Sequence, residues 1–355
     1  RDVNFDIFWQ AWEKIQGDYV DKPVAEPQLF YGAMRGLVAS LGDPFSIFLE
    51  PQDAESLTEE LAGRFEGIGA EIGIKNERLT IISPLPESPA ERAGLKGNDK
   101  IFTIDDFDTT DINIHEAVNR IRGEKGTQVV LKIFREGENE FRDITVTRDT
   151  IKIVSVRQEL KESPSGKKIG YIKVTNFHED TSGRFRQATN ELLAQGPEGF
   201  IIDLRNNPGG FLDKAIDLSG YWVEGNKAVV LEKKSETDIE TLVSRGSSEL
   251  KDFKTVILIN SGSASASEIM AGALQDHGLA IVIGQKSFGK GSVQDLADLP
   301  DGSAIKLTIA RWLTPNGRTI DTEGIEPDEV VELTEEDYNN NIDPQLDRAL
   351  EILDK

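Results

Sequence analysis

Lys254-Thr255-Val256-Ile257-Leu258-Ile259-Asn260-Ser261-Gly262-Ser263-Ala264-Ser265-Ala266-Ser267-Glu268-Ile269 passes from an apolar run, through small residues, into a helical pattern. A short run of β-branched and aliphatic residues bounded by turn formers is the mark of a strand buried on both faces. The spacing that follows predicts a helix over 265–275. Strand, tight turn and helix in succession form the repeating unit of an α/β core. The same grammar extends in both directions. Upstream it predicts strands at 168–174, 199–204 and 228–232 and helices at 181–195 and 213–223. Downstream it predicts a strand at 279–283 and an antiparallel-type strand at 304–312. An α/β core is therefore expected over 151–332. A C-terminal helical tail over 333–355 carries Leu346, Leu350 and Leu353 on one side.

Three of these turns carry chemistry. Backbone N–H groups at the helix start after Ile259 are unpaired, and the helix dipole adds partial positive charge there. A serine on such a turn can be an exposed nucleophile, with the next N–H facing an oxyanion. The same residues also read as an N-cap, with Glu268 closing a capping box. The pattern does not choose among Ser261, Ser263, Ser265 and Ser267. The second turn lies in Ile281-Val282-Ile283-Gly284-Gln285-Lys286-Ser287-Phe288-Gly289-Lys290-Gly291. It approaches the phosphate-binding pattern GxxxxGK[ST], but Gly291 stands where the magnesium-binding hydroxyl belongs, and no helix pattern follows before Pro300. A lysine packed in an apolar, glycine-rich site loses its proton readily and can serve as a neutral base, and serine with a lysine base is a recorded catalytic pair. The third turn is Asp203-Leu204-Arg205-Asn206-Asn207-Pro208-Gly209-Gly210, where Gly209 and Gly210 admit a close substrate and offer an oxyanion donor. By itself it also reads as a simple tight turn.

The first 62 residues read as a helical region. Phe5, Phe8, Trp9 and Trp12 share one helix face, which points to core or interface packing. Phe30, Ala33, Met34, Leu37, Val38 and Leu41 repeat the spacing before Gly42-Asp43-Pro44 stops the helix. Residues 63–150 have another texture, with short strands and two small helices in a compact β-rich module. Its ordered residues, Gly67-Ile68-Gly69-Ala70, Ser88-Pro89-Ala90, Ala93-Gly94-Leu95, Gly97-Asn98-Asp99 and Ile101, resemble a permuted PDZ domain of the bacterial kind. That resemblance implies capture of an extended C-terminus as an added strand, its carboxylate resting on the backbone N–H groups of Gly67, Ile68, Gly69 and Ala70.

Taken together, the three turns resemble the C-terminal processing peptidases. Leu41-Gly42-Asp43-Pro44-Phe45-Ser46, Trp312-Leu313-Thr314-Pro315-Asn316-Gly317 and Gly324-Ile325-Glu326-Pro327-Asp328 are similar to that family's flanking motifs, so the match runs from about Phe5 to Val331. The resemblance implies a multidomain α+β and α/β protein: a helical N-terminal region, a permuted PDZ-like module and a serine protease core with a Ser–Lys dyad. It implies Ser265 as nucleophile, Lys290 as base and Gln294 as the residue orienting Lys290. Ala266 and either Gly209 or Gly210 would supply the oxyanion donors. Arg122 and Arg135, at elements flanking the PDZ groove, are candidates for coupling a bound peptide to catalysis. Flexible protein C-termini are the expected substrate, with self-association through terminal helices and an extracytoplasmic, membrane-anchored full-length protein whose anchor lies outside this chain. A catalytically silent PDZ scaffold is the alternative reading.

Composition narrows the field. The 355 residues carry 63 acidic and 40 basic side chains, a net charge of -23, so no nucleic-acid partner is expected. The absence of cysteine excludes disulfides, thiolate metal sites and thiol catalysis. No HExxH pair or carboxylate cluster with metal spacing occurs, and neither metal nor cofactor is expected. Of the three histidines, His277 lies a full helix away from Ser265, while spacing leaves His178 open as a rival base.

Overall fold

Lys254–Ile259 lies inside a six-stranded sheet, flanked by Gly199–Asp203 and Ile281–Gly284, both parallel to it. Lys168–Val174 extends the parallel set, and Val156–Glu162 pairs antiparallel at one edge. Glu329–Val330 closes the other edge. This computed structural model describes residues 3–355 other than 22, 76–77, 139, 153, 335, 338–339 and 341. Alternate residues of the central strands face opposite layers, as strand geometry requires. Ile202, Ile257 and Ile259 pack in the same core as Ala215 and Leu218 of helix Leu212–Ser219 and Ile269 and Met270 of helix Ala266–Asp276. Ile201, Val256 and Leu258 face Ala349 and Leu353 of the C-terminal helix Pro344–Asp354. Burial on both faces explains why these strands read as unbroken apolar runs. The edge strand Val156–Glu162 is mostly polar, which suits an edge and hides it from a search for apolar runs.

A second, antiparallel sheet joins Ile47–Leu49, Ala304–Leu313, Ala228–Ser235 and Asp238–Val243, with Ser292–Asp298 also paired to Ala304–Leu313. A strand, and no helix, therefore follows the glycine–lysine turn. A phosphate site built on a helix N-terminus has no helix to use there.

Three helices precede the core: Asp6–Asp18, Glu26–Ala39 and Pro51–Leu61. The aromatic stripe on the first is not core. That helix buries none of its residues, and Phe5 and Trp9 are 58% and 56% exposed. Its rings contact one another instead, with Phe8–Trp9 and Trp9–Trp12 centroids 5.2 and 6.1 Å apart. Helical spacing shows that the rings share a face, but not that anything covers it. Residues 1–61 and 155–355 form one compact unit, and 62–154 form the other.

The 62–154 unit is a sheet ordered Ala70–Lys75, Arg78–Pro84, Lys100–Ile104, Gln128–Phe134 and Arg142–Thr147, with Phe107–Asp108 on the third strand and a separate pair formed by Arg64–Gly67 and Asp149–Lys152. Ile68, Leu79, Ile81, Ile101 and Leu131 are in its core. Ala70–Lys75 lies at the sheet edge near helix Ile114–Ile121. In the adjoining loop, the Ile68 and Gly69 carbonyls accept from Ala90 and Leu85 N–H at 2.8 and 2.9 Å, while the Ile68 and Gly69 N–H groups make no hydrogen bond among the described residues. Arg135 forms a bidentate pair with the fully buried Asp99, both bonds 2.7 Å, and also donates to the Gly94 carbonyl. The Arg122 guanidinium stands 4.9 Å from the Phe65 ring centroid. Among the described residues, no helix is long and apolar enough to cross a membrane.

Candidate active site

The three turns leave the carboxyl ends of three adjacent parallel strands, the end of an open α/β sheet where ligand sites form. Hydrogen bonds weld them together. Ala264 N–H and the Ser267 hydroxyl both donate to the Asn207 carbonyl, at 3.0 and 2.9 Å. The Ser263 hydroxyl donates to the Leu204 carbonyl at 2.8 Å, and Phe288 N–H donates to the Ser263 carbonyl at 3.0 Å. These contacts separate the serines that the sequence pattern left equivalent. Ser263 and Ser267 are fully buried with their hydroxyls donating to backbone carbonyls, and Ser261 lies on the exposed turn. Ser265 alone of the four lines a cavity of about 760 Å³.

Ser265 sits immediately before helix Ala266–Asp276 with φ 56° and ψ -115°, a conformation that L residues rarely adopt. Such strain persists only where surrounding contacts over-determine it. The chief restraint is Glu268. Its carboxylate is fully buried and accepts from Ser265 N–H (2.7 Å), Lys290 N–H (3.0 Å), Gly289 N–H (2.6 Å) and the Ser287 hydroxyl (2.6 Å). Burial pushes the Glu268 carboxyl up, and these four hydrogen bonds oppose that push. The capping-box reading was thus half of the residue's role. The same side chain that caps the helix also clamps the serine turn to the lysine turn.

Lys290, Gln294, Ala266, Gly209 and Gly210 line the same cavity as Ser265. The Lys290 side chain is half-buried, and its Nζ lies 5.7 Å from the Phe45 ring centroid. Burial holds its pKa below the ordinary lysine value, the neighbouring Lys306 charge lowers it further, and Glu268 pulls the other way. The Gln294 amide donates to Ser292 Oγ at 2.7 Å and Thr308 Oγ1 at 3.4 Å. Among the described residues its amide is bonded to these hydroxyls and not to Lys290. Gly209 N–H donates to Asn207 Oδ1 at 2.9 Å, whereas the N–H groups of Gly210 and Ala266 are uncommitted within the described residues. Gly210 must be glycine. Its φ is 138°, and a Cβ there would meet the Phe177 carbonyl oxygen at 2.3 Å.

The 203–210 turn is anchored from below. Arg205 pairs bidentately with fully buried Asp203 (3.0 and 2.7 Å), and reaches Asp343 (2.8 and 2.9 Å) and Gln345 (3.0 Å) at the start of the C-terminal helix. Lys306 also lines the cavity and was missed by sequence reasoning, although it lies on the inward phase of an alternating strand. His178 is in the cavity wall as well, its backbone N–H donating to Thr181 Oγ1 at 2.8 Å. His277 is elsewhere, capping the far end of the Ser265 helix with Nε2 2.7 Å from the Ala228 carbonyl. The apolar part of the lining includes Leu57, Leu61, Ile269, Val293, Leu296 and Trp312. A strained serine, a lysine whose pKa burial lowers, and uncommitted N–H groups beside them are the parts needed for acyl transfer.

Comparison with known proteins bears on the same residues. Residues 168–331 match Peptidase family S41, residues 80–135 match a PDZ domain, and residues 3–53 match the activating protease CtpB N-terminal domain. The carboxy-terminal processing protease CtpA of Bacillus subtilis is 39% identical over 94% of this chain and 70% of its own length. A carboxyl-terminal-processing protease of Synechocystis is 37% identical over 97% of this chain and 81% of its own length. Among solved structures, the photosystem II D1 C-terminal processing protease superposes with a TM-score of 0.61 at 29% identity, covering 92% of each chain. With the motif order, the sheet topology and these relatives in agreement, the chain belongs to the carboxyl-terminal processing proteases, PDZ-bearing serine-type peptidases of family S41.

Proposed function

We propose that Ser265 is the nucleophile and Lys290 the general base of a C-terminal processing reaction. Neutral Lys290 takes the Ser265 proton as Oγ attacks the scissile carbonyl. The N–H groups of Ala266 and Gly210 hold the oxyanion, because Gly209 has spent its own on Asn207. Collapse of the tetrahedral intermediate breaks the C–N bond, and the Lys290 ammonium returns the proton to the leaving amine. Water, deprotonated by Lys290, then releases the acyl group and restores Ser265. The observation that carries this reading is the Glu268 clamp. Ser265 and Lys290 N–H meet on one carboxylate oxygen, so nucleophile and base are positioned by a single side chain. Gln294 acts through the hydroxyls of Ser292 and Thr308 beside Lys290.

In this reading the 62–154 unit captures the substrate's C-terminus. The peptide pairs with the edge strand Ala70–Lys75, and its carboxylate rests on the unspent Ile68 and Gly69 N–H groups beside Gly67 and Ala70. Inside that unit Arg135 is engaged with Asp99 and Arg122 with the Phe65 ring, and both are candidates for coupling a bound peptide to catalysis. Self-association through the exposed aromatic face of the first helix, and an extracytoplasmic location, belong to the same proposal. The test is cleavage of an unstructured protein with an apolar C-terminus across pH. Wild type cuts, with activity falling as pH drops through the Lys290 pKa, and Ser265→Ala and Lys290→Ala do not cut. Cleavage retained in Lys290→Ala moves the base elsewhere, with His178 next in line.

A further inference from the structure

We propose that Lys306 is a positioning residue that acts on the reaction through Lys290: a second ammonium in the cavity, its charge supported by Asp43, that keeps Lys290 ready to accept the Ser265 proton. The inference rests on the Ser265–Lys290 assignment and explains two features which that assignment leaves over, a lysine on an inward strand face and the turn at 42–46.

In strand Ala304–Leu313, Ala304, Ala310 and Trp312 are buried, while Leu307 and Ile309 face outward. Lys306 and Thr308 fall in the inward phase. Thr308 contacts Gln294 and, through its N–H, Ser46 Oγ at 3.0 Å, while Lys306 lines the cavity. Placing an ammonium inward is costly unless it is paired. Among the described residues, the Lys306 side chain makes no hydrogen bond or ion pair. Burial lowers the Lys306 pKa, and the nearby Asp43 carboxylate opposes that by favouring the charged form. Asp43 is itself held ionised by the Ser46 hydroxyl (2.5 Å) and Phe45 N–H (3.1 Å). One turn thus presents the Phe45 ring to Lys290 and a carboxylate to Lys306.

Two ammonium groups in one partly desolvated cavity repel, and the better-supported one keeps its proton. A neighbouring cation is a recorded way to make a lysine reactive. Glu268 draws Lys290 the other way, and His178, Asp213 and Asp295 share the lining. Asp213 is paired with Lys214 at 2.9 Å.

The experiment measures the rate of Ser265 labelling by a neutral fluorophosphonate across pH in wild type, Lys306→Met, Lys306→Gln and Lys306→Arg, with Lys290→Ala as reference. This probe has no peptide or carboxylate for Lys306 to bind. Both neutral variants are expected to move the acid limb to higher pH and rejoin wild type on the alkaline plateau, while Lys306→Arg keeps the wild-type limb. An unmoved limb in Met and Gln variants overturns the proposal. A raised peptide KM with the limb unmoved makes Lys306 a substrate contact instead. A uniform fall at every pH makes it structural. A wild type that is not labelled, or a limb that persists in Lys290→Ala, overturns the dyad itself. Should the neutral variants not fold, NMR titration of labelled lysines in wild type decides: Lys290 must lose its proton before Lys306, and the reverse order overturns the proposal.

Discussion

Replacing Glu268 by glutamine tests the clamp with almost no change of shape. The carboxylate accepts four hydrogen bonds, two on each oxygen. Glutamine keeps one accepting oxygen and turns the other into a donor. Its better orientation aims Oε1 at Ser265 and Lys290 N–H and places the NH2 group toward Ser287 and Gly289. The Ser287 hydroxyl, which already accepts from Ile325 N–H, can accept from that NH2 as well, though its own proton then loses the carboxylate; Gly289 N–H cannot accept, so at least one buried donor is stranded. The opposite orientation strands two. A single stranded donor costs about 1–3 kcal/mol, which for a unit of this size lowers the Tm by roughly 2–4 °C per kcal/mol. The variant also removes the negative charge that favours Lys290 in its protonated form. Its Lys290 pKa therefore falls, and the acid limb of the rate profile moves to lower pH, opposite in sign to the neutral Lys306 variants. Thermal melting reads the first effect, and fluorophosphonate labelling against pH reads the second. An unchanged Tm, or an acid limb that moves upward, would refute the clamp as argued.

Four further outcomes follow from the structure. Gly210→Ala drives a Cβ into the Phe177 carbonyl and displaces the proposed oxyanion donor, so kcat is expected to fall by about 10²–10³ with KM little changed, as measured by steady-state cleavage. Arg205→Ala leaves buried Asp203 without its cation and costs about 3–5 kcal/mol in denaturant unfolding. Asp343→Asn acts on the same network through pH. Burial raises the Asp343 carboxyl, but the Arg205 hydrogen bond and charge outweigh it and leave the pKa low. Its contribution is therefore present above the unfolded carboxylate pKa and lost as pH falls through the folded one, so wild type and Asp343→Asn converge in stability in acid. Trp9→Asp places a charge on the exposed aromatic face and shifts sedimentation toward monomer, whereas no shift removes that face from the proposed association.

How far the sequence reached depended on how local the cause was. Val256 to Ile259 and Phe200 to Ile202 are buried on both sides, so their apolar runs announced parallel strands directly. Gly210 was legible because its backbone needs a residue without a Cβ. The order of the three turns carried the family resemblance. Ser292–Asp298 and Val156–Glu162 were missed because exposed, mixed strands have no apolar signature. The Phe5–Trp12 stripe had the right period, but periodicity describes a face and not what covers it.

The sequence by itself determined which segments are buried strands, which turns follow them and which residue types those turns present. Burial and backbone conformation are written in neighbouring residues, within one strand or one helical turn. The tertiary structure decided what meets at the cavity. Sheet order brought the turns after Asp203, Ile259 and Gly284 together, left Ser265 as the serine facing the cavity, made Glu268 a bridge between two turns, and put Lys306 in the same cavity lining as Lys290, with Asp43 near it. These residues lie up to hundreds of positions apart in the chain. Their interaction depends on pairings between distant strands, and no local pattern of side chains records which strands become neighbours.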